Sequence, residues 1–197
     1  MRERGISLNR AAGWAVLGIA VLVATGSGPI QASTQSEEPD AGHREFDFVI
    51  GRWNIEFRSY DPETGALTSV LDAVQEARYV NGGTLIVDEW TGYSRETGEQ
   101  VTHGVTLRSY SPMAGRWEHT FLRSNQEEHA SVFSGEWRDD AMHAAGSAEL
   151  DDGRTLLYRL RFYDIEDDSF NWMEEWSIDG GANWRLVKTQ VATRNDG

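Results

Sequence analysis

Four side chains have the types that acid–base catalysis or metal binding requires: Glu89, His103, His119 and Glu174. Two imidazoles and a carboxylate can hold a divalent metal, and a His–Glu pair can act as general acid and base. None of the four occurs at a diagnostic spacing, such as two histidines one helical turn apart. The simpler interpretation is that they face solvent or make ordinary buried hydrogen bonds. We therefore predict a candidate polar group and assign neither a metal nor a cofactor.

Arg123 and Tyr158 form a second candidate, for a carboxylate. A guanidinium matches the geometry of a carboxylate, and a nearby tyrosine hydroxyl can add a hydrogen bond. Arg159 is excluded as the partner of Tyr158, because adjacent residues of a strand point to opposite faces. The alternative is that the arginines balance acidic residues on an outer surface.

Several other chemistries lack support. The chain has no cysteine, which excludes thiol chemistry and disulfides. No G-x-S-x-G motif occurs, so hydrolase triad chemistry is unsupported. The acidic run 166–168 lacks the ligand spacing of a calcium loop. Eight tryptophans are compatible with sugar stacking, but in alternating strands they are more typical of wall packing.

The elements that position these residues are strands. Ten segments alternate apolar and polar residues and are separated by short turns rich in Gly, Asp, Asn and Pro. Consecutive strands with tight turns predict an antiparallel meander, and closure removes its exposed edges. We predict an all-β, about ten-stranded up-and-down barrel, with an open sandwich as the alternative. A ten-strand barrel is wide enough to hold a small ligand. The predicted strands are 53–58, 67–80, 84–93, 101–110, 117–124, 129–138, 142–150, 155–163, 170–178 and 184–193.

Alternation along these strands predicts which side chains face the interior. The predicted inward rows are Trp53, Ile55 and Phe57; Leu85, Val87 and Glu89; His103, Val105 and Leu107; Trp117, His119, Phe121 and Arg123; Tyr158, Leu160 and Phe162; and Phe170, Trp172, Glu174 and Trp176. Rows that are mostly apolar with a few polar groups are typical of a ligand pocket. A register error of one residue would reverse any row. The predicted binding residues are Trp53, Glu89, His103, His119, Phe121, Arg123, Tyr158, Trp172 and Glu174.

The stretch from Glu45 to Trp53 carries a family resemblance. Phe46 to Trp53 reads F-D-F-x-x-G-x-W and is similar to the opening of calycin-like barrels, where a short helix closes one end. More narrowly, the chain resembles an uncharacterised bacterial family with further matching segments at residues 81–85, 109–117 and 177–184. The resemblance spans residues 45–193 and implies a lipocalin- or fatty-acid-binding-like barrel with a short N-terminal helical plug, without an established activity. Related haem-binding barrels use a histidine near the C-terminus, and this chain has none after His143.

The N-terminal 32 residues have the pattern of a secretory signal. Three arginines precede an uncharged stretch from Ala11 to about Thr25, followed by a Gly–Pro break and a small residue, Ala32. We predict cleavage near Ala32, a disordered lead-in over 33–44, a single barrel domain over 45–193, and a periplasmic or secreted location. The alternative is a retained anchor, although the apolar stretch is short for a membrane span.

The formal net charge of −14 limits the partners. An acidic surface repels phosphate backbones and anionic lipids, so we expect no nucleic acid and no membrane contact beyond the signal segment. The leading hypothesis is the binding or carriage of a small apolar or amphipathic molecule inside the barrel. The alternatives are a small-molecule enzyme, such as an isomerase, cyclase or metal-assisted hydrolase, that uses the His/Glu group, and a protein–protein interaction module.

Overall fold

The computed structural model describes residues 44–124 and 130–195 and confirms the predicted fold. Ten antiparallel strands each pair with their neighbours in sequence, and β1 pairs with β10, which closes the barrel. The predicted signal and most of the lead-in lie outside the described residues. No helix in the described ranges is long and apolar enough to cross a membrane. The strands are β1 (Gly51–Tyr60), β2 (Leu67–Val80), β3 (Leu85–Ser94), β4 (Gln100–Ser111), β5 (Arg116–Arg123), β6 (Ala130–Arg138), β7 (Ala141–Glu149), β8 (Thr155–Tyr163), β9 (Ser169–Ser177) and β10 (Arg185–Arg194).

The turn between β1 and β2 shows how short loops set this topology. Asp61 accepts hydrogen bonds from the backbone N–H groups of Glu63 and Thr64 at 3.0 and 2.7 Å. Gly65 then adopts φ +71°, a conformation that glycine reaches without steric cost. The chain therefore reverses within a few residues, and β2 must lie beside β1.

Residues Asp47–Val49 form a single 3₁₀ turn just before β1. Phe46, Val49 and Trp53 are fully buried, and the indole N–H of Trp53 donates to the carbonyl of Val49 at 2.8 Å. The ring of Phe46 makes edge contacts with Trp117 and Phe162, at centroid distances of 4.9 and 5.4 Å. The hydrophobic core therefore lies at the end of the barrel that contains Phe46, which we call the Phe46 end.

Gly51 has a structural reason to be glycine. Its φ is +115°, and a Cβ atom there would lie 2.9 Å from Nη1 of Arg194. That guanidinium lies over the ring of Trp53 at 4.2 Å and donates to the carbonyl of Ile50 at 3.2 Å. The G-x-W segment thus fastens the start of β1 to the end of β10.

The interior face agrees with the prediction on β1, β5, β8 and β9, and differs from it on β3 and β4. On β3 the buried positions are Ile86, Asp88 and Gly92, whereas Glu89 is exposed. On β4 the buried positions are Gly104 and Arg108, which lie on the opposite face of the strand from the predicted row. The predicted inward rows of these two strands are therefore wrong: Leu85, Val87, Glu89, His103, Val105 and Leu107 line the outer face.

Candidate functional site

The half of the interior away from Phe46 contains space that solvent reaches. Strand alternation directs Phe57, Trp90, Phe121, Phe133 and Trp176 inward, yet each is partly exposed. We infer from this exposure that the barrel contains solvent-accessible space at this end. At the Phe46 end, Trp53, Trp117 and Phe170 are fully buried, whereas Tyr79, Tyr110 and Trp137 are partly exposed. We call this space, bordered by the five aromatic side chains, the far cavity.

The aromatic wall of the far cavity is held by ring contacts. Phe57 and Trp90 meet edge to face at 5.5 Å, and Phe133 and Tyr158 do so at 5.0 Å. Such geometries are favourable beyond simple area burial. The wall therefore presents apolar surface whose rings constrain one another.

An ion pair lies in the same wall. Lys188 Nζ is 3.0 Å from Glu174 Oε2, and the indole N–H of Trp176 donates to Glu174 Oε1 at 2.5 Å. The ammonium also lies 5.3 Å from the centroid of the Trp176 ring. The side chains of Lys188 and Glu174 are only 24% and 9% exposed. The sequence analysis named Glu174 but missed Lys188, although the alternation of β10 through Gln190 and Ala192 could have identified it.

Tyr158 faces inward as predicted, but its hydroxyl is already engaged. It donates to the carbonyl of Val132 at 3.1 Å and lies 3.4 Å from that of Ser147. A Cβ atom on Gly146 would collide with the tyrosine ring, so glycine makes room for it. Burial raises the pKa of Tyr158, and the charge of Glu174 adds to this rise.

The predicted carboxylate site of Arg123 and Tyr158 therefore loses one of its two donors, because the tyrosine hydroxyl has only one hydrogen to donate. The geometry instead makes Tyr158 a structural link between β6 and β7, whose described ladder ends at the Ser134–Ala145 pair. Arg123 lies on the inward row of β5, with its guanidinium 5.5 Å from the centroid of the Phe121 ring. Arg123 stays a candidate for ligand contact.

Between Phe46 and the far cavity lies a group of polar side chains, the buried polar cluster: Gln75, Asp88, Trp90, Arg108 and His119. Asp88 Oδ2 is 2.6 Å from Arg108 Nη1, and both side chains are almost fully buried. The rings of His119 and Phe46 meet edge to face at 5.0 Å. The Arg108 guanidinium also lies 5.3 Å from the centroid of the Phe46 ring.

Burial sets the protonation of this cluster. It lowers the pKa of His119 to about 3, with a further contribution from the positive charge of Arg108, so the imidazole is neutral at neutral pH. Burial also raises the pKa of Asp88 above its ordinary value, against the opposing effect of Arg108. The sequence analysis named His119 but missed Asp88 and Arg108, because it predicted the wrong inward face for β3 and β4.

The predicted acid–base group does not assemble. Glu89 lies on the outer wall in an ion pair with Arg78 at 2.8 Å, and His103 lies on the outer face of β4 opposite Thr91. Only His119 and Glu174 face the interior, and no hydrogen bond joins them. Within 44–124 and 130–195, no group of three or more His, Cys, Asp or Glu side chains could hold a metal.

Of the remaining predicted binding residues, Trp53 lies in the core at the Phe46 end, whereas Phe121 and Trp172 face inward on β5 and β9.

The outer wall of β6 to β9 accounts for other arginines. Arg159 binds Glu175 at 2.7 Å and lies 4.2 Å over the Trp184 ring. Arg138 is 3.3 Å from Glu136. These pairs match the interpretation in which arginines balance acidic residues on an outer surface.

Solved structures of other proteins share the barrel. The S-type phycobiliprotein lyase CPES from Guillardia theta matches with a TM-score of 0.55 and 14% identity, over 77% of this chain and 91% of that chain. Rv2717c from M. tuberculosis matches with a TM-score of 0.55 and 12% identity, over 79% and 98%. At such identities the likeness shows the fold alone, a calycin-like barrel. No protein-family model and no curated protein matches the sequence, so the narrower family resemblance stays a prediction.

Proposed function

We propose that this protein binds or carries a small, largely apolar molecule in the far cavity. The observation that carries the proposal is the set of five inward aromatic side chains that are partly exposed. Leaving so much aromatic surface in contact with water forgoes roughly 25 cal/mol per Å² that burial would gain. A ligand that covers this surface recovers that free energy.

The polar groups of the cavity are few, as in most small-molecule sites. Arg123 and the Glu174–Lys188 pair can orient a ligand that has a polar substituent, while the rings contact its apolar body. The structural neighbour CPES is a phycobiliprotein lyase, and the barrel that it shares with this chain supports the proposal of a small-molecule ligand. We further propose an extracytoplasmic location, which the pattern of the first 32 residues supports.

The test compares two substitutions at adjacent positions. Ser131 lies on the inward row opposite Phe121, whereas Val132 points outward and is 56% exposed. Ser131→Trp fills the far cavity, and Val132→Trp adds the same side chain to the surface. The neutral fluorescent probe 1-aminoanthracene reports binding, and native mass spectrometry of protein purified from its host identifies any retained molecule.

We expect the unsubstituted protein and Val132→Trp to bind the probe equally, and Ser131→Trp to bind it at least about tenfold more weakly, since overpacking a site costs on the order of 1–3 kcal/mol. Circular dichroism confirms that both variants fold. Equal binding by the two variants, or no binding by the unsubstituted protein, would contradict the proposal.

A further inference from the structure

We propose that the buried polar cluster recognises the polar end of the ligand, and that this end is a neutral group with a carbonyl beside an N–H or O–H. Amides, lactams and undissociated carboxylic acids belong to this class. The inference rests on the proposed function, because the apolar part of the same ligand would occupy the far cavity.

The first observation is a set of buried polar atoms without hydrogen-bond partners. Within the described residues, Gln75 Nε2, Asp88 Oδ1, Trp90 Nε1, Arg108 Nε and His119 Nε2 lack one, in addition to Arg108 Nη1, which is ion-paired with Asp88 Oδ2 at 2.6 Å. Buried polar groups in folded proteins nearly always have a partner, supplied by the protein, by water or by a ligand. Five such atoms in one place indicate that something outside the chain completes their hydrogen bonding.

The second observation is that the residues that carry these atoms occupy neighbouring positions beside the far cavity. They occupy inward positions on four consecutive strands, β2 to β5. Gln75 lies opposite Trp90, and Arg108 lies opposite His119. The Trp90 ring contacts Phe57 in the aromatic wall, so the cluster lies directly beneath the cavity. A molecule that enters between the rings reaches the cluster with its leading end.

The atom types define the chemistry of that end. Gln75 Nε2, Trp90 Nε1 and Arg108 Nε carry hydrogens and can donate to a carbonyl oxygen. Asp88 Oδ1 can only accept while the carboxylate is ionised, and therefore requires an N–H or O–H. A head group that has both functions side by side can accept from one of these donors and donate to Asp88.

The charges favour a neutral head group over an ion. Arg108 and Asp88 already balance each other at 2.6 Å. His119 is neutral near pH 7. A carboxylate or ammonium placed there would leave an uncompensated charge in the interior, which is strongly unfavourable. A neutral amide brings hydrogen bonds without adding charge.

The test uses three probes with one alkyl chain: dodecanamide, methyl dodecanoate and, at pH 8, dodecanoate. Their affinities are measured by displacement of 1-aminoanthracene from the unsubstituted protein. We expect dodecanamide to bind about tenfold more tightly than the ester, as one net hydrogen bond predicts, and dodecanoate to show no advantage over the ester.

Two conservative variants remove single donors. Gln75→Leu and Trp90→Phe should each reduce the preference for the amide about three- to tenfold, while Thr91→Val on the outer face leaves it unchanged. Two variants are used because one of them could impair folding, and the comparison among probes on the unsubstituted protein requires no variant.

The outcomes separate the two proposals. Binding of all three probes with equal affinity overturns head-group recognition and leaves the cavity proposal standing. Failure of every probe, including 1-aminoanthracene, overturns both. A crystal structure in which ordered waters occupy the cluster, unchanged when dodecanamide is bound, shows a structural water site and also overturns the inference.

Discussion

His119 should make the protein progressively less stable in mild acid. Its pKa in the folded protein is about 3, whereas an exposed histidine titrates near 6.5. As the pH falls below 6.5, the unfolded chain takes up a proton that the folded chain refuses. The stability associated with neutral His119 is therefore complete above pH 6.5 and declines as the pH falls towards 3.

The magnitude follows from these two pKa values. Each pH unit well inside the window changes the free energy of unfolding by about 1.4 kcal/mol. Allowing for partial titration near pH 6.5, the loss between pH 7 and pH 5 is about 2 kcal/mol. Total stabilities of single domains are only about 5–15 kcal/mol, so the effect is easily measured.

The assay is urea unfolding followed by tryptophan fluorescence at pH 7, 6 and 5 and constant ionic strength. His119→Phe keeps a ring against Phe46 and removes the titrating group. Asp88 and other groups contribute to the pH dependence of both proteins, so the difference between the two curves isolates His119. We expect the variant to lose about 2 kcal/mol less than the unsubstituted protein between pH 7 and 5.

The control is Thr91→Val, since Thr91 lies on the outer face of β3 and has no titrating group. This substitution should leave the pH dependence of stability parallel to that of the unsubstituted protein. Parallel curves for His119→Phe as well would refute the assignment of a buried, neutral imidazole.

Two further pairs of substitutions test other parts of the barrel by urea unfolding. Gly51→Ala should lower the free energy of unfolding by about 1–3 kcal/mol, because it forces a side chain into φ +115° and against Arg194. The control Gly65→Ala, at φ +71°, meets no neighbouring atom and should lower it less. Equal losses in the two variants would count against the packing described for Gly51. Lys188→Met should lower the free energy of unfolding by about 2 kcal/mol, because it leaves the nearly buried Glu174 without its cation. Adding Glu174→Gln to this variant should restore part of the loss. No change in stability on Lys188→Met alone would show that the pair contributes nothing.

The number of strands and their order followed from the sequence because turns and alternation are local signals. The structure has β2 at Leu67–Val80 and β8 at Thr155–Tyr163, which are the predicted bounds. The inward faces of β1, β5, β8 and β9 also followed, because most of the large apolar side chains of these strands occupy one face. Lys188 was missed because it depends on a tertiary ion pair with Glu174, which a local pattern does not encode.

The errors on β3 and β4 have a physical cause. On β4 the outer face carries Val105 and Leu107, while the inner face carries Thr106 and Arg108. Val87 of β3 lies opposite Leu107 on the outer wall, so apolar residues cover each other outside the barrel. Hydrophobic alternation consequently indicated the wrong face of both strands.

The same inversion supports a functional role for the interior of these strands. A protein stabilised only by its core would place Val87, Val105 and Leu107 inside and Asp88 and Arg108 outside. The chain does the reverse and leaves buried polar atoms without partners, at a cost of about 1–3 kcal/mol for each such group. Local departures from the rules of folding are expected where a site is built. Because β3 and β4 adjoin the far cavity, this departure supports the proposed recognition of a ligand there.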